Sequence, residues 1–94
     1  MTTGFLLCRN RVSDFARWKG VFDSHREAHR AAGLQLCWIR QGMEDTAEVH
    51  FLFEIESVER AQAFIDDPVS AEAGIDAGVL DGDYYFIREA EGTD

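Results

Sequence analysis

Two histidines, His25 and His29, stand four residues apart in the segment 13–33. If this segment is helical, the two imidazole rings lie one turn apart on one face and reach the same point in space. Imidazole accepts or gives a proton near neutral pH because its unperturbed pKa is about 6.5. The same spacing is also typical of a metal-binding pair, for which His50 or Glu54 is a candidate third ligand. The pair therefore predicts acid–base chemistry or, as a more remote hypothesis, a metal site.

The segment 13–33 reads as one long amphipathic helix. Ser13 is the predicted cap, Asp14 places negative charge in the first turn, and Gly33 is suited to end the helix. At about 100° per residue, both histidines fall within an apolar stripe of roughly 120°. The other members of that stripe are Phe15, Trp18, Val21, Phe22 and Ala32. Both rings are thus predicted to point inward, as half-buried imidazoles bonded to a neighbour, as groups in a binding pocket, or as metal ligands.

Other polar groups stand at the ends of predicted strands. Asn10 and Arg11 close the first strand, and Arg40 closes the second. An amide or a guanidinium at such a place can hold a substrate carbonyl or enolate oxygen. For Arg40, a surface ion pair with the acidic second half of the chain is the favoured alternative.

Aromatic side chains form a third group of candidates. Trp18, Phe22 and Trp38 can stack on an aromatic ligand or simply belong to the core. The two tyrosines, Tyr84 and Tyr85, alternate along the last strand, so one is predicted to meet the helices and the other a partner. The chain has no glycine-rich phosphate loop and no nucleophile elbow, and so nothing favours a kinase or a hydrolase.

Alternating apolar residues predict four strands, at 5–12, 34–42, 48–56 and 82–88. Besides 13–33, helices are predicted at 58–65 after a Ser57 cap and from Pro68 to about Ala77. Right-handed crossovers on this order give a single α+β domain, 1–94, with the ferredoxin-like βαββαβ arrangement. Its antiparallel sheet has strand order 4-1-3-2 and carries the helices on one face.

The other sheet face is predicted to need a partner, because both faces carry large apolar side chains. Two such sheets can pair into a dimeric α/β barrel, so we expect a homodimer. In such a dimer, His50 is predicted to be an interface residue. The apolar side chains that lead to this expectation are Leu6, Leu7, Leu36, Trp38, Ile39, Leu52, Tyr84 and Tyr85.

The 94-residue chain is 46% hydrophobic and has a net charge of −9, which argues against nucleic acid or an anionic membrane as partner. No run of about 18 apolar residues occurs, and the expected location is the cytoplasm. Residues 1–43 are net basic and 44–94 strongly acidic, so the first helix is predicted to lie beside acidic elements. Cys8 and Cys37 are predicted to be buried thiols, two strands or roughly 10 Å apart and thus not a disulfide.

The stretches WKGVFDSHREAHRAAG, EVHFLFEIESVERAQAFIDDP and AGVLDGDYYFI resemble small dimeric α/β-barrel proteins related to antibiotic biosynthesis monooxygenases and polyketide cyclases. The similarity extends over residues 5–88 as a pattern of element lengths. This resemblance implies a small organic ligand between helices and sheet. The family that the chain resembles includes cofactor-free oxygenases, cyclases and haem-degrading enzymes. The residues in family-like places are Trp18, Phe22, Asp23, His25, Gly33, Phe64 and Gly78.

The haem-degrading relatives use an asparagine, a tryptophan and a histidine. Asn10 matches the first, but Phe64 stands near the tryptophan position and the stretch 68–77 has no histidine. The resemblance therefore favours chemistry without a cofactor.

The leading hypothesis is a homodimer that binds a small apolar or aromatic molecule between the first helix and the sheet. If it is an enzyme, cofactor-independent oxygenation or cyclisation is expected, with His25 or His29 moving a proton and Asn10 polarising an oxygen. The alternative is a non-catalytic dimer whose own side chains fill the pocket. The expected substrate-binding side chains are Trp18, Phe22, Trp38, Arg40, Phe64 and Tyr84.

Overall fold

A computed structural model describes residues 4–92 of the chain. Four strands and four helices follow one another in the order βααββααβ. Their bounds are β1 Gly4–Val12, α1 Phe15–Ser24, α2 Arg26–Ala31, β2 Leu34–Gln41, β3 Glu48–Ile55, α3 Val58–Asp66, α4 Pro68–Asp76 and β4 Val79–Arg88. The longest of these helices has 10 residues, and no helix within 4–92 could cross a membrane.

The strands form one antiparallel sheet in the order β2-β3-β1-β4. This confirms the predicted 4-1-3-2 order and the ferredoxin-like α+β fold. One sheet face packs against the helices and buries Leu6, Val12, Val49, Phe51, Phe53 and Ile55. The alternation of apolar and polar residues in β3 predicted this face from the sequence, and every second residue from Val49 to Ile55 is indeed buried.

Trp38 does not lie on the same sheet face as Leu36, although the two are two residues apart. The register between β2 and β3 shifts between Leu36 and Trp38, so that Leu36 pairs with Phe53 but Trp38 pairs with Leu52. This bulge at Cys37 reverses the alternation, since one extra residue sends every following side chain to the other face. Trp38 and Arg40 consequently lie on the sheet face that carries no helix.

The predicted single helix 13–33 is also wrong, because it is divided at His25 into α1 and α2. In an unbroken helix, the Val21 carbonyl would accept from the His25 backbone N–H. Here it accepts from Ser24 Oγ at 2.6 Å and lies 2.9 Å from His25 Nδ1. The His25 N–H donates instead to the Phe22 carbonyl at 3.1 Å, so two side chains displace one helical hydrogen bond.

Helix caps account for the other boundaries. Asp14, not the predicted Ser13, caps α1 by accepting from the Ala16 N–H at 3.0 Å. Ser57 caps α3 as predicted, and Asp67 caps α4, which begins at Pro68 as predicted. Gly33 has φ of +76° after α2, which confirms its predicted role of ending the helical segment.

The sheet face without helices carries an ordered pattern. An apolar row crosses all four strands, because Leu7 pairs with Tyr85 on one side and with Leu52 on the other, and Leu52 pairs with Trp38. The next row toward the end of β1 is charged and consists of Asp83, Arg9, His50 and Arg40. We call this face, with its apolar row, the open face.

The arginines that meet the acidic half of the chain come from β1. Arg9 pairs with Glu48, Asp81 and Asp83 at 2.8–3.0 Å, and Arg11 pairs with Asp45 at 2.6 Å. The first helix does lie beside an acidic element, since Arg17 of α1 donates to the Asp76 carbonyl of α4 at 2.7 Å, but Lys19, Arg26 and Arg30 pair with carboxylates of α1 and α2 themselves. Adjacent strands bring β1 and β4 side by side, whereas the helical cations find neighbours three or four residues away.

Candidate functional site

A cavity of about 740 Å³ lies between the helices and the sheet. Its sheet wall comes from β1 and β3 together with Leu34 of β2 and Val79 of β4, and its helical wall comes from all four helices. Helix α4 contributes small side chains at Ala73 and Gly74, and none of its residues is buried. The space exists because α4 offers no large side chain to fill the gap above the sheet.

His29 is buried in the wall of this cavity with 7% of its surface exposed. Its ring lies between three aromatic rings, with centroid distances of 4.7 Å to Phe22, 5.2 Å to Phe53 and 5.5 Å to Phe64. Burial, helped by the charges of His25 and Arg26, lowers the pKa of His29 to about 4. The ring is therefore uncharged at neutral pH, and its Nδ1 atom has no hydrogen-bond partner within residues 4–92.

His25 lies in the same wall but is half-buried. His25 Nδ1 lies 2.9 Å from the Val21 carbonyl oxygen and 3.1 Å from Ser24 Oγ, and the tautomer with its proton on Nδ1 lets this nitrogen donate to that carbonyl. The lone pair then belongs to Nε2, which makes no hydrogen bond within the described part of the chain. In this tautomer, Nε2 can accept a hydrogen bond at the cavity wall.

Asn10 lines the cavity near the end of β1. With the amide oriented to satisfy its neighbours, its oxygen accepts from Trp18 Nε1 at 3.1 Å and its nitrogen donates to the Arg9 carbonyl at 3.0 Å. The adjacent Gly82 leaves room for this arrangement, since a Cβ there would lie 2.7 Å from the Asn10 side chain. The second hydrogen of the Asn10 amide group makes no hydrogen bond within residues 4–92 in this orientation.

The cavity brings together six of the nine predicted site residues: Asn10, Trp18, Phe22, His25, His29 and Phe64. Trp38 and Arg40 lie on the open face instead, where the Arg40 guanidinium stacks 4.4 Å from the Trp38 ring. This stacking, rather than the expected ion pair, is the interaction of Arg40 within residues 4–92. Tyr84 points to the helix side but contacts Gln62 at 3.2 Å outside the cavity lining, whereas Tyr85 faces the opposite way on the open face.

The metal hypothesis loses its third ligand. His50 and Glu54 alternate with the buried side chains of β3 and lie on the open face, away from both other histidines. Within residues 4–92, no group of three histidine, cysteine or carboxylate side chains is placed to hold a metal ion.

Sequence reasoning missed Cys8 as a cavity residue. Cys8 lies between Leu6 and Asn10 on the helix-facing side of β1, and burial raises the pKa of its thiol to about 12. Its period-two spacing from Asn10 was the available signal. Both cysteines are free, as predicted, but Cys37 is exposed because it occupies the bulge of an edge strand.

No family model and no curated protein matches this sequence. Solved structures match it over nearly the whole chain. A proposed antibiotic biosynthesis monooxygenase from Bordetella bronchiseptica is 10% identical with a TM-score of 0.80, covering 96% of this chain and 99% of its own. Another from Caulobacter crescentus is 11% identical with a TM-score of 0.72, covering 96% and 92%.

A dimeric ferredoxin-like protein from an uncultured marine organism is 15% identical with a TM-score of 0.61, covering 100% of this chain and 93% of its own. At these identities the likeness concerns the fold. The strand order, the one-sided helix layer and these neighbours agree, so the chain has the ferredoxin-like fold of these solved structures.

Proposed function

We propose that this protein is a homodimer that binds a small apolar or aromatic molecule in the cavity between its helices and its sheet. The observation that carries the proposal is a cavity of about 740 Å³ with aromatic walls and two imidazoles of different character. Pockets for small organic ligands have this size and composition, with few polar groups on apolar walls. The alternative of a pocket filled by its own side chains is disfavoured by the same space.

The reaction that suits this arrangement is removal of a proton from a phenol or enol, followed by cyclisation or by cofactor-independent oxygenation. In the oxygenation, dioxygen supplies the inserted oxygen atom and the substrate supplies the electrons that reduce the second atom to water. His25 is the proton acceptor, because its Nδ1 is held by the Val21 carbonyl and its Nε2 carries the lone pair. His29 stays neutral and offers a hydrogen bond from an apolar wall. Asn10, fixed by Trp18, polarises the substrate oxygen with its remaining amide hydrogen.

The open face supports the homodimer. Tyr85 is 59% exposed and Ile87 43% exposed, while Leu7, Leu52 and Trp38 are half-buried beside them. A continuous apolar row with a charged row next to it is typical of an interface. One structural neighbour is described as dimeric, and the free thiols fit a reducing compartment, for which we propose the cytoplasm.

The test is a thermal-shift titration with 2-naphthol, a planar phenol that fits the cavity by size. Ligand bound to the native state raises the melting temperature by mass action. We expect a shift for the wild type and for His50→Ala, whose histidine lies on the open face, and its loss in His25→Ala and His29→Ala. An equal shift in all four proteins would remove the site assignment, and no shift in the wild type would contradict a cavity for planar phenols.

A further inference from the structure

A groove of about 880 Å³ adjoins the cavity on the side of α2 and the β2 edge. Arg26, His29 and Arg30 of α2 line one wall, and the ends of β2 and β3 with the turn into α3 line the other. The groove and the cavity share three wall residues, His29, Leu34 and Phe53. A ligand that fills the cavity can therefore present one end to the groove at His29.

Two buried side-chain nitrogens within residues 4–92 have no hydrogen-bond partner, and both belong to residues of this groove. They are Arg26 Nε and His29 Nδ1, three residues apart on α2. An unpaired buried polar group is unfavourable, because it has lost its hydrogen bonds to water without replacement, so native structures rarely retain one without a reason. Two such atoms on one groove wall indicate a group that binds there.

The chemistry of the two atoms selects an oxygen with negative charge. Arg26 Nε only donates, and His29 Nδ1 donates when the neutral ring carries its proton there. Arg26 and Lys19 share one carboxylate, Asp23, at 3.0 and 2.6 Å, so this trio keeps a net positive charge. Arg30 is paired with Glu27 at 2.5 Å, so this pair adds no net charge to the groove wall.

The opposite wall of the groove carries carboxylates that limit the region open to an anion. Glu56 pairs with Arg60 at 2.8 Å, and Glu54 is exposed on the open-face side of β3. The positive end of the groove is thus the α2 wall at Arg26 and His29, next to the opening of the cavity.

Resting on the proposed function, we propose that the ligand is a carboxylic acid with an apolar body, whose carboxylate binds Arg26 and His29 while the body fills the cavity. Arginine is the side chain best suited to this role, because its planar guanidinium matches the two oxygens of a carboxylate. The guanidinium now lies 5.3 Å from the Phe22 ring centroid, and its Nε is buried. The ligand displaces it from that ring, which a half-exposed side chain at the start of a short helix allows.

Calorimetric titration with 2-naphthoate and 2-naphthamide at pH 7.5 tests the proposal, because the two probes have the same shape and differ in charge. We expect the wild type to bind naphthoate at least about tenfold more tightly than naphthamide, equivalent to about 1.4 kcal/mol. Arg26→Gln should abolish this preference and leave naphthamide binding unchanged. Lys19→Gln is the matched control, since it removes a charge from the same Asp23 without touching the groove, and it should keep the preference.

Equal binding of the two probes by the wild type would overturn the carboxylate site and leave the cavity proposal standing. An equal loss of preference in Arg26→Gln and Lys19→Gln would also overturn it, because the effect would then be one of general charge. Failure of the wild type to bind either probe would contradict both proposals. Circular dichroism of each variant checks that the fold is retained.

Discussion

The Nδ1 atom of His25 lies 2.9 Å from the carbonyl oxygen of Val21, and this contact both ends α1 and orients the imidazole. The carbonyl that would continue the helix is occupied by side chains, so α2 starts afresh at Arg26. The break gives the two histidines different surroundings: His25 is half-buried beside the Val21 carbonyl, and His29 is buried among phenylalanines. On this asymmetry we propose His25 as the base and His29 as the neutral hydrogen-bonding group.

The buried His29 predicts a stability that falls as the pH falls. Its pKa is about 4 in the folded protein and about 6.5 in the unfolded chain, so the unfolded state binds the proton first. The stabilisation that results from this difference is complete above pH 6.5. It decreases as the pH falls toward 4, and the loss in the free energy of unfolding is about 2 kcal/mol at pH 5. Urea unfolding at pH 7 and pH 5 measures it.

Two variants separate His29 from the other groups that titrate in this range. His29→Phe should remove this part of the pH dependence, while His50→Gln on the open face should retain it. If the wild type and His29→Phe lose the same stability between pH 7 and pH 5, the ring is not buried as described.

The two thiols should differ in reactivity. Cys37 is exposed, whereas burial raises the pKa of Cys8 to about 12, so little thiolate forms there near pH 8. With a thiol-specific disulfide reagent at pH 8, we expect one fast equivalent and one at least about tenfold slower. In Cys37→Ser only the slow phase should remain; a fast phase in that variant would show that Cys8 is open to solvent.

The open face should carry the dimer contact. Ile87→Asp places a charge beside the apolar row, and we expect the dimer to dissociate into monomers at micromolar concentration. Ile75→Asp is the matched control, because Ile75 is 73% exposed on the outer side of α4. Light scattering coupled to size exclusion measures the mass; a monomeric wild type, or equal effects of the two variants, would contradict the assignment.

Two glycines in and after the α1–α2 segment should respond in opposite directions to alanine. Gly20 lies inside α1 with nothing within 4 Å of an added Cβ, so Gly20→Ala should raise the free energy of unfolding by about 0.5–1 kcal/mol. Gly33 has φ of +76°, and its Cβ would lie 2.7 Å from Glu56 Oε2, so Gly33→Ala should lower it by more than about 1 kcal/mol. Denaturant unfolding of the pair gives the sign of each change.

The fold could be predicted from the sequence because the strongest signals for its strands and helices were local. The alternation of β3 and the Ser57 and Asp67 caps each depend on neighbouring residues, and together they restrict the topology. The bulge at Cys37 had no such signal, since a register shift depends on the partner strand. One extra residue was enough to move Trp38 and Arg40 out of the predicted site.

The site was predictable to the extent that it followed from helix geometry. The inward direction of His25 and His29 came from the apolar stripe, and the structure places both in one cavity wall. The break at His25 was not predictable from periodicity, because it arises where the side chains of Ser24 and His25 take the place of the His25 backbone N–H at the Val21 carbonyl. The groove at Arg26 was missed for a similar reason, as its polar atoms are unpaired only in the folded arrangement.

A crystal structure of the protein soaked with 2-naphthol tests the central claim most directly. The account predicts electron density for the ring system between the helices and the sheet, with the phenol oxygen within hydrogen-bond distance of His25 Nε2 and the rings against Phe22 and Trp18. Density for the probe only outside this space, or side chains of the protein itself occupying it, would contradict the account.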